Sequence, residues 1–267
     1  MENLKTGGIL GNIDDCNIYY CKILLAGKKI EVESKNIRTL AFFRGYLSHF
    51  GQPDFVIRAS QKEIDEEQIP NYGEIVKAIN RDEDIAVENQ SAETNAIYRK
   101  IADRILEYGI ILMHGAAVSV NKKCYIFTAP SGTGKTTHIN NWLKAIPDTF
   151  VVNGDKPLID VEKGLVYGTP WCGKEGQGTN TVAPLAGLIH LERGVTNTIL
   201  PISFKEMLPC LLQQVYIPVT GKERILAYKC LDRIKDVPCY RLKCNMDLES
   251  AITAYRGIKD NERKNGQ

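Results

Sequence analysis

The sequence predicts a mixed α/β protein made of a small α+β region over 1–90, a larger core over 91–257 and a flexible polar tail over 258–267. Three observations predict it. Apolar runs of strand length crowd residues 110–191 with a single helical segment among them, whereas an all-parallel sheet would alternate strands with helices throughout. A glycine-rich loop at 129–137 stands between a strand-like run and a helical one. The stretch 60–90 is polar and acid-rich, carries Pro70 and Gly73, and reads as a short helix with connecting loops.

Taken in order, residues 17–24 and 29–33 read as two short strands joined by an Ala-Gly-Lys turn. Residues 36–50 place Ile37, Leu40, Ala41, Phe42, Tyr46 and Leu47 on a helical face, and 54–58 reads as another strand. Over 91–108 the apolar residues Ala96, Ile97, Ile101, Ile105 and Leu106 line one side of an amphipathic helix, which Gly109 ends. Strand-like runs follow at 110–113, Ala116–Val120 and 124–128. After the loop come a helix over 138–146 and further runs at 150–152, 158–161, Leu165–Tyr167 and 185–191. Helical patterns at 204–216 and 222–235, a strand at Cys239–Cys244 and a helix at 247–255 complete the core.

Composition narrows the class. Of 267 residues, 43% are hydrophobic and 25% charged, as in an ordinary globular protein. A net charge of +2 gives no reason to invoke a nucleic acid or a membrane surface as partner. The start, Met-Glu-Asn-Leu-Lys-Thr-Gly-Gly, has no apolar stretch of secretory type, so a cytoplasmic location is expected. The eight cysteines lack C-x-x-C spacing and only four histidines accompany them, so they read as reduced, buried apolar residues rather than zinc ligands.

The loop itself reads Ala129-Pro130-Ser131-Gly132-Thr133-Gly134-Lys135-Thr136-Thr137. Gly132 and Gly134 can take positive φ, which lets successive backbone N–H groups turn around an anion. The unpaired N–H groups of the following helix favour negative charge at the same place. The pattern matches G-x-x-x-x-G-K-[ST] except that Ala129 replaces the first glycine, and it implies nucleotide-phosphate binding by 131–137. Lys135 would reach the β and γ phosphates, and the Thr136 hydroxyl would ligate Mg²⁺.

Two further residues are candidates. Twenty positions after Lys135, at the end of an apolar run, stands Asn153-Gly154-Asp155-Lys156-Pro157. Asp155 could hold Mg²⁺ or accept a proton from an attacking hydroxyl, and it equally suits a turn. His114 lies between two apolar runs with Gly115 beside it, as a site residue or a hydrogen-bonded core histidine.

Together, Met113-His114-Gly115-Ala116-Ala117-Val118, the loop, and Asn153-Gly154-Asp155-Lys156-Pro157 resemble the HPr kinase/phosphorylase and ATP-dependent phosphoenolpyruvate carboxykinase superfamily, most of all its small HPr-kinase-like proteins. The resemblance covers roughly residues 92–256. It implies a carboxykinase-like core in which the phosphate loop lies on a mixed, bent sheet. It also implies ATP and Mg²⁺ as cofactors. Lys135 would hold phosphate oxygens, Asp155 would be the acid/base, and His114, 21 positions before Lys135, would orient both Asp155 and the phosphate. The superfamily usually has two adjacent aspartates after that strand. This chain has Gly154-Asp155-Lys156, so one carboxylate must serve as base or as metal ligand, and Lys156 would lower its pKa. Glu175, in Gly168-Thr169-Pro170-Trp171-Cys172-Gly173-Lys174-Glu175, is the candidate for the further acidic metal ligand. That segment suits either a loop over a substrate pocket, with Trp171 exposed, or a hairpin with Trp171 packed.

The resemblance points to a kinase that transfers the γ-phosphoryl group of ATP to a hydroxyl, a serine foremost, on a peptide, protein or small-molecule acceptor. Alternatives are a nucleotide-binding partner subunit with little catalysis, or a carboxykinase-type enzyme. A homo-oligomer is compatible with either.

Overall fold

The computed structural model describes residues 11–13, 18–68, 89–173, 175–264 and 266, and these fall into two compact units, Met1–Arg104 and Ile105–Gln267. In the first unit a four-stranded sheet runs β1 (Gly11–Ile13), β2 (Ile18–Leu25), β3 (Lys28–Ser34) and β4 (Phe55–Arg58), in that spatial order. Alternation explains its buried face: Cys21, Ile23 and Leu25 from β2, Ile30 and Val32 from β3, Phe55 and Ile57 from β4. The helix Asn89–Ile105 lies in this unit up to Arg104, and polar contacts tie it there. Glu93 is buried, and it accepts hydrogen bonds from the hydroxyls of Ser34 (2.7 Å) and Thr39 (2.6 Å). The region 69–88, part of the segment expected to be loops, lies outside the described residues.

The expected helix over 36–50 is much shorter. It spans Ile37–Ala41, followed by a 3-10 turn at Arg44–Tyr46. Thr39, Leu40, Phe43 and Tyr46 are buried here, and the last three, spaced by three, suit the tighter helix rather than a 3.6-residue period.

In the second unit, nine strands form one mixed sheet: β5 (Ile110–Leu112), β6 (Ala116–Val120), β7 (Lys123–Thr128), β8 (Phe150–Asn153), β9 (Leu158–Asp160), β10 (Leu165–Tyr167), β11 (Val182–Arg193), β12 (Thr198–Ile202) and β13 (Cys239–Cys244). The order is β5-β9-β10-β11-β7-β6-β8, with β13 joined to β11 and β12 to β13. The pairs β11–β7 and β11–β13 are parallel; the other pairs of this sheet are antiparallel. The long strand β11 changes partner along its length, leaving β10 after Pro184 and running beside β7 from Leu185, with a register shift before Gly187. A bulge of this kind bends the strand.

Both faces of the sheet are covered, which is why its central strands read as continuous apolar runs. Ala117, Cys124, Ile126, Leu188 and Cys239 face one core, shared with Met207 and Leu211 of the helix Phe204–Gln214 and Ala227 and Leu231 of the helix Gly221–Arg233. Their neighbours Ala116, Val118, Tyr125, Phe127, Ile189, Tyr240 and Leu242 face the other core. There they meet Ile139 and Trp142 of the helix Lys135–Ala145 and Ala251, Ala254 and Ile258 of the helix Glu249–Lys264. Period-two alternation thus divides the strands between two cores.

Two expectations need correction. The strand Thr198–Ile202 was not anticipated, because as an edge strand it leaves Leu200 exposed and carries Pro201. The tail expected over 258–267 is helical through Lys264. Ile258 is fully buried, and Glu262 is buried against the Tyr125 hydroxyl, which donates to its Oε1 at 2.8 Å. An otherwise charged surface on this stretch hid the buried stripe. Ile258→Ala is therefore expected to destabilise the protein by about 2–5 kcal/mol in urea unfolding, whereas an unpacked tail would leave the transition unchanged.

Candidate phosphate and acid/base site

The loop 129–137 leaves the end of β7 and enters the helix Lys135–Ala145. Gly134 is its N-cap residue, at φ 117°, a conformation in which a side chain would be strained, and no side chain caps the helix. The start of this helix is thus open to a partner other than a capping side chain. Lys135 is only 8% exposed. Its ammonium donates to the carbonyl oxygens of Ala129 (2.8 Å) and Pro130 (3.4 Å), so the departure from glycine at Ala129 leaves this contact intact. Burial lowers the Lys135 pKa, and the charge of Asp155 opposes that shift.

Asp155 stands on the turn after β8, and that turn is built by Asn153. The fully buried Asn153 side chain accepts from the backbone N–H groups of Asp155 (2.9 Å) and Lys156 (2.6 Å), and donates to the carbonyl and hydroxyl oxygens of Thr169 (both 3.0 Å). Thr169 in turn donates from its hydroxyl to the Lys156 carbonyl at 2.8 Å. Gly154 is required by space. A Cβ there would lie 2.9 Å from the Gln177 carbonyl oxygen and 3.0 Å from that of Cys172.

His114 reaches this turn from the β5–β6 connection. Its Nε2 lies 3.2 Å from Asp155 Oδ1, and Lys156 Nζ lies 3.6 Å from Oδ2. The His114 backbone is fixed on both sides: its N–H donates to the Gln214 carbonyl at 2.7 Å, and its own carbonyl accepts from the Thr128 hydroxyl at 3.0 Å. The Gly115 N–H donates to the Asp155 carbonyl at 2.8 Å, closing the contact between the two segments. Burial alone would raise the Asp155 pKa. The hydrogen bond from His114 and the charges of Lys156, His114 and Lys135 outweigh it and hold the carboxyl below its usual range.

These residues share one cavity of about 440 Å³, lined by His114, the loop residues Ser131, Gly132 and Gly134–Thr137, Asp155, and Cys172, Gly173, Glu175 and Gln177. All the residues expected at the site except Thr133 line it. Trp171 is buried at 8% exposed, while its neighbours Cys172, Gly173 and Glu175 form a wall of the cavity, so the segment combines the packed tryptophan with the pocket loop. Its far end is tied down by the Gly154 N–H, which donates to the Gln177 carbonyl at 2.7 Å.

A second cavity of about 420 Å³ adjoins the first, since Gly134, Thr137, Arg193 and Met246 line both. Thr133 lines this second cavity, with Leu191, Cys244, Met246, His138 and Asn141. The His138 pKa is pushed down to about 3 by burial, so the ring is neutral; its Nε2 accepts from the Trp142 indole N–H at 3.0 Å. Asn141 holds the segment after β13 by donating to the carbonyls of Met246 and Asp247, each at 3.0 Å.

As metal ligands, Thr136, Asp155 and Glu175 offer oxygen only, which suits Mg²⁺. Among the described residues no three His, Cys, Asp or Glu side chains gather to hold an ion by themselves. Cys21, Cys124, Cys172, Cys210, Cys230, Cys239 and Cys244 are free thiols; Cys16 lies outside the described residues. No helix among the described residues is long and apolar enough to cross a membrane.

Sequence reasoning missed Arg193 and the lock between Asn153 and Thr169. The Asn-Gly-Asp signal named a turn, but the residue sixteen positions on that locks it carries no local mark. Comparison of the chain with protein-family models and with curated proteins finds no match.

Asn153→Ala removes a buried hub and leaves two backbone N–H groups unpaired, so a loss of about 1–3 kcal/mol is expected in denaturant unfolding. The second expectation concerns pH. The Asp155 pKa is lowered on folding, so its ionised form stabilises the fold above the ordinary carboxylate pKa, and this contribution is lost as pH falls through the lower folded-state value. The stability gap between wild type and Asp155→Asn should be full at neutral pH and close only in strong acid. A gap independent of pH would contradict the ion-pair account.

Proposed function

We propose that the second unit binds Mg·ATP and transfers its γ-phosphoryl group to a hydroxyl, with serine the foremost acceptor, as in the HPr-kinase-like proteins it resembles. One observation carries this reading: the phosphate loop, Lys135 and the His114–Asp155 pair line a single cavity, and a largely separate cavity with apolar walls adjoins it. The first suits a triphosphate and an acceptor, the second a nucleoside. A mixed sheet with the loop at the end of a central strand supports a carboxykinase-like core over a parallel P-loop fold.

In this reading, the N–H groups at the helix start and the Lys135 ammonium bind and align the phosphate oxygens. Thr136 and Glu175 would hold Mg²⁺, which would supply charge neutralisation when bound, and Asp155 is left to the hydroxyl. His114 fixes the Asp155 carboxylate. Asp155, ionised at neutral pH, accepts a hydrogen bond from the incoming hydroxyl and takes its proton late, as suits a loose transition state. A low pKa makes it a weak base, so its main work is orientation. That same feature, with Lys156 where a second carboxylate would help, supports the alternative of a nucleotide-binding subunit with little catalysis.

The test uses γ-labelled ATP with Mg²⁺ and an array of serine- and threonine-containing peptides and polyols. Wild type is expected to transfer label. Asp155→Asn is expected to lose transfer by at least a hundredfold while calorimetric Mg·ATP affinity stays within about threefold, and Lys135→Ala to lose affinity at least tenfold. Binding without transfer to any acceptor would favour the partner-subunit reading; no binding by wild type would overturn both.

A further inference from the structure

Arg193, the last residue of β11, carries no motif, yet its guanidinium is directed at the phosphate loop. Its Nη2 donates to the Gly132 carbonyl at 2.5 Å and its Nε to the Thr133 carbonyl at 3.3 Å. The backbone there is well anchored: Arg193 pairs with Cys244 at the end of the parallel β11–β13 ladder, and the following Gly194 N–H donates to the Cys244 carbonyl at 2.8 Å. The neighbouring Glu192 instead contacts Arg241 (3.4 Å) and Lys243 (3.9 Å), as alternation along a strand requires. Arg193 lines both cavities.

We propose that Arg193 is the positioning residue of the phosphate loop. The inference rests on the nucleotide reading of the site. The peptide bonds here are trans, so a carbonyl and the next N–H point to opposite sides of each peptide plane. Holding the Thr133 carbonyl therefore turns the Gly134 N–H away from the guanidinium, and the Gly132 carbonyl is held in the same way. The Thr133 N–H is engaged separately, donating to the Pro130 carbonyl at 3.3 Å. Gly134 is the residue most in need of such a hold: it lies at φ 117° and no side chain caps its helix. Two loop peptides are thereby fixed to a sheet strand before any anion arrives, so the loop need not be ordered by the ligand. A planar fork can hold two adjacent carbonyls at once, which a lysine ammonium on a flexible stem does poorly.

The experiment compares wild type, Arg193→Lys and Arg193→Gln in the full chain, with Mg·ADP and inorganic tripolyphosphate as calorimetric probes. Amide hydrogen exchange of the loop and the ligand-free thermal midpoint are measured alongside. Both variants are expected to bind each probe about tenfold or more weakly, with faster exchange over 132–135 and a midpoint close to wild type, since Arg193 is exposed. Wild-type affinity in Arg193→Gln would overturn the proposal. Wild-type affinity in Arg193→Lys with a loss in Arg193→Gln would also overturn it, because charge alone would then suffice. Failure of wild type to bind either probe would instead remove the nucleotide reading, and this inference with it.

Discussion

A lysine ammonium held out of bulk water at the end of β7 is the constraint on which the second unit is arranged. Burying such a charge is unfavourable unless hydrogen bonds and an opposite charge surround it. Here the loop curls so that the Ala129 and Pro130 carbonyls reach Lys135, and Asp155 supplies the opposite charge. Each neighbour must itself be held. Asp155 is positioned by Asn153, Thr169 and His114, and His114 by the Gln214 carbonyl and the Thr128 hydroxyl. The capping box of Ser203 and Glu206 starts the helix that ends at Gln214, so that helix serves the site as well as the core.

The mixed sheet makes this convergence feasible. The strand β7 delivers the loop, β8 delivers Asp155, and the connection from β5 to β6 delivers His114; β6 lies between β7 and β8 in the sheet. The site therefore stands on three adjacent strands: β6 pairs antiparallel with both β7 and β8, and the helix Lys135–Ala145 makes the crossover from β7 to β8. On the proposed reading, such rigidity is what transfer by alignment and fixed charge needs.

Much of this was legible in the sequence where local chemistry speaks. The loop glycines, the flanking strand and helix, the turn at Asn153-Gly154-Asp155 and the apolar strands all follow from short-range patterns. What was illegible has non-local causes. Arg193 is exposed and sits in no motif, and its hydrogen-bond partner lies in a loop sixty positions earlier in the chain. Thr198–Ile202 is an edge strand with a weak apolar pattern, and the buried stripe of 258–264 lies within a charged segment. The turn of 3-10 helix at Arg44–Tyr46 shows a related failure: the helical face read from the sequence took Phe42 where the structure buries Phe43.

The central claim is that the loop, Lys135 and Asp155 together form a triphosphate site with a nucleoside cavity beside it. A crystal structure with Mg²⁺ and a non-hydrolysable ATP analogue tests it most directly. The account predicts phosphate oxygens on the N–H groups of 134–137 and on Lys135 Nζ, the terminal phosphate toward Asp155, and the base between Leu191 and Met246. A triphosphate bound elsewhere on the chain, or a nucleotide whose terminal phosphate points away from Asp155, would contradict it.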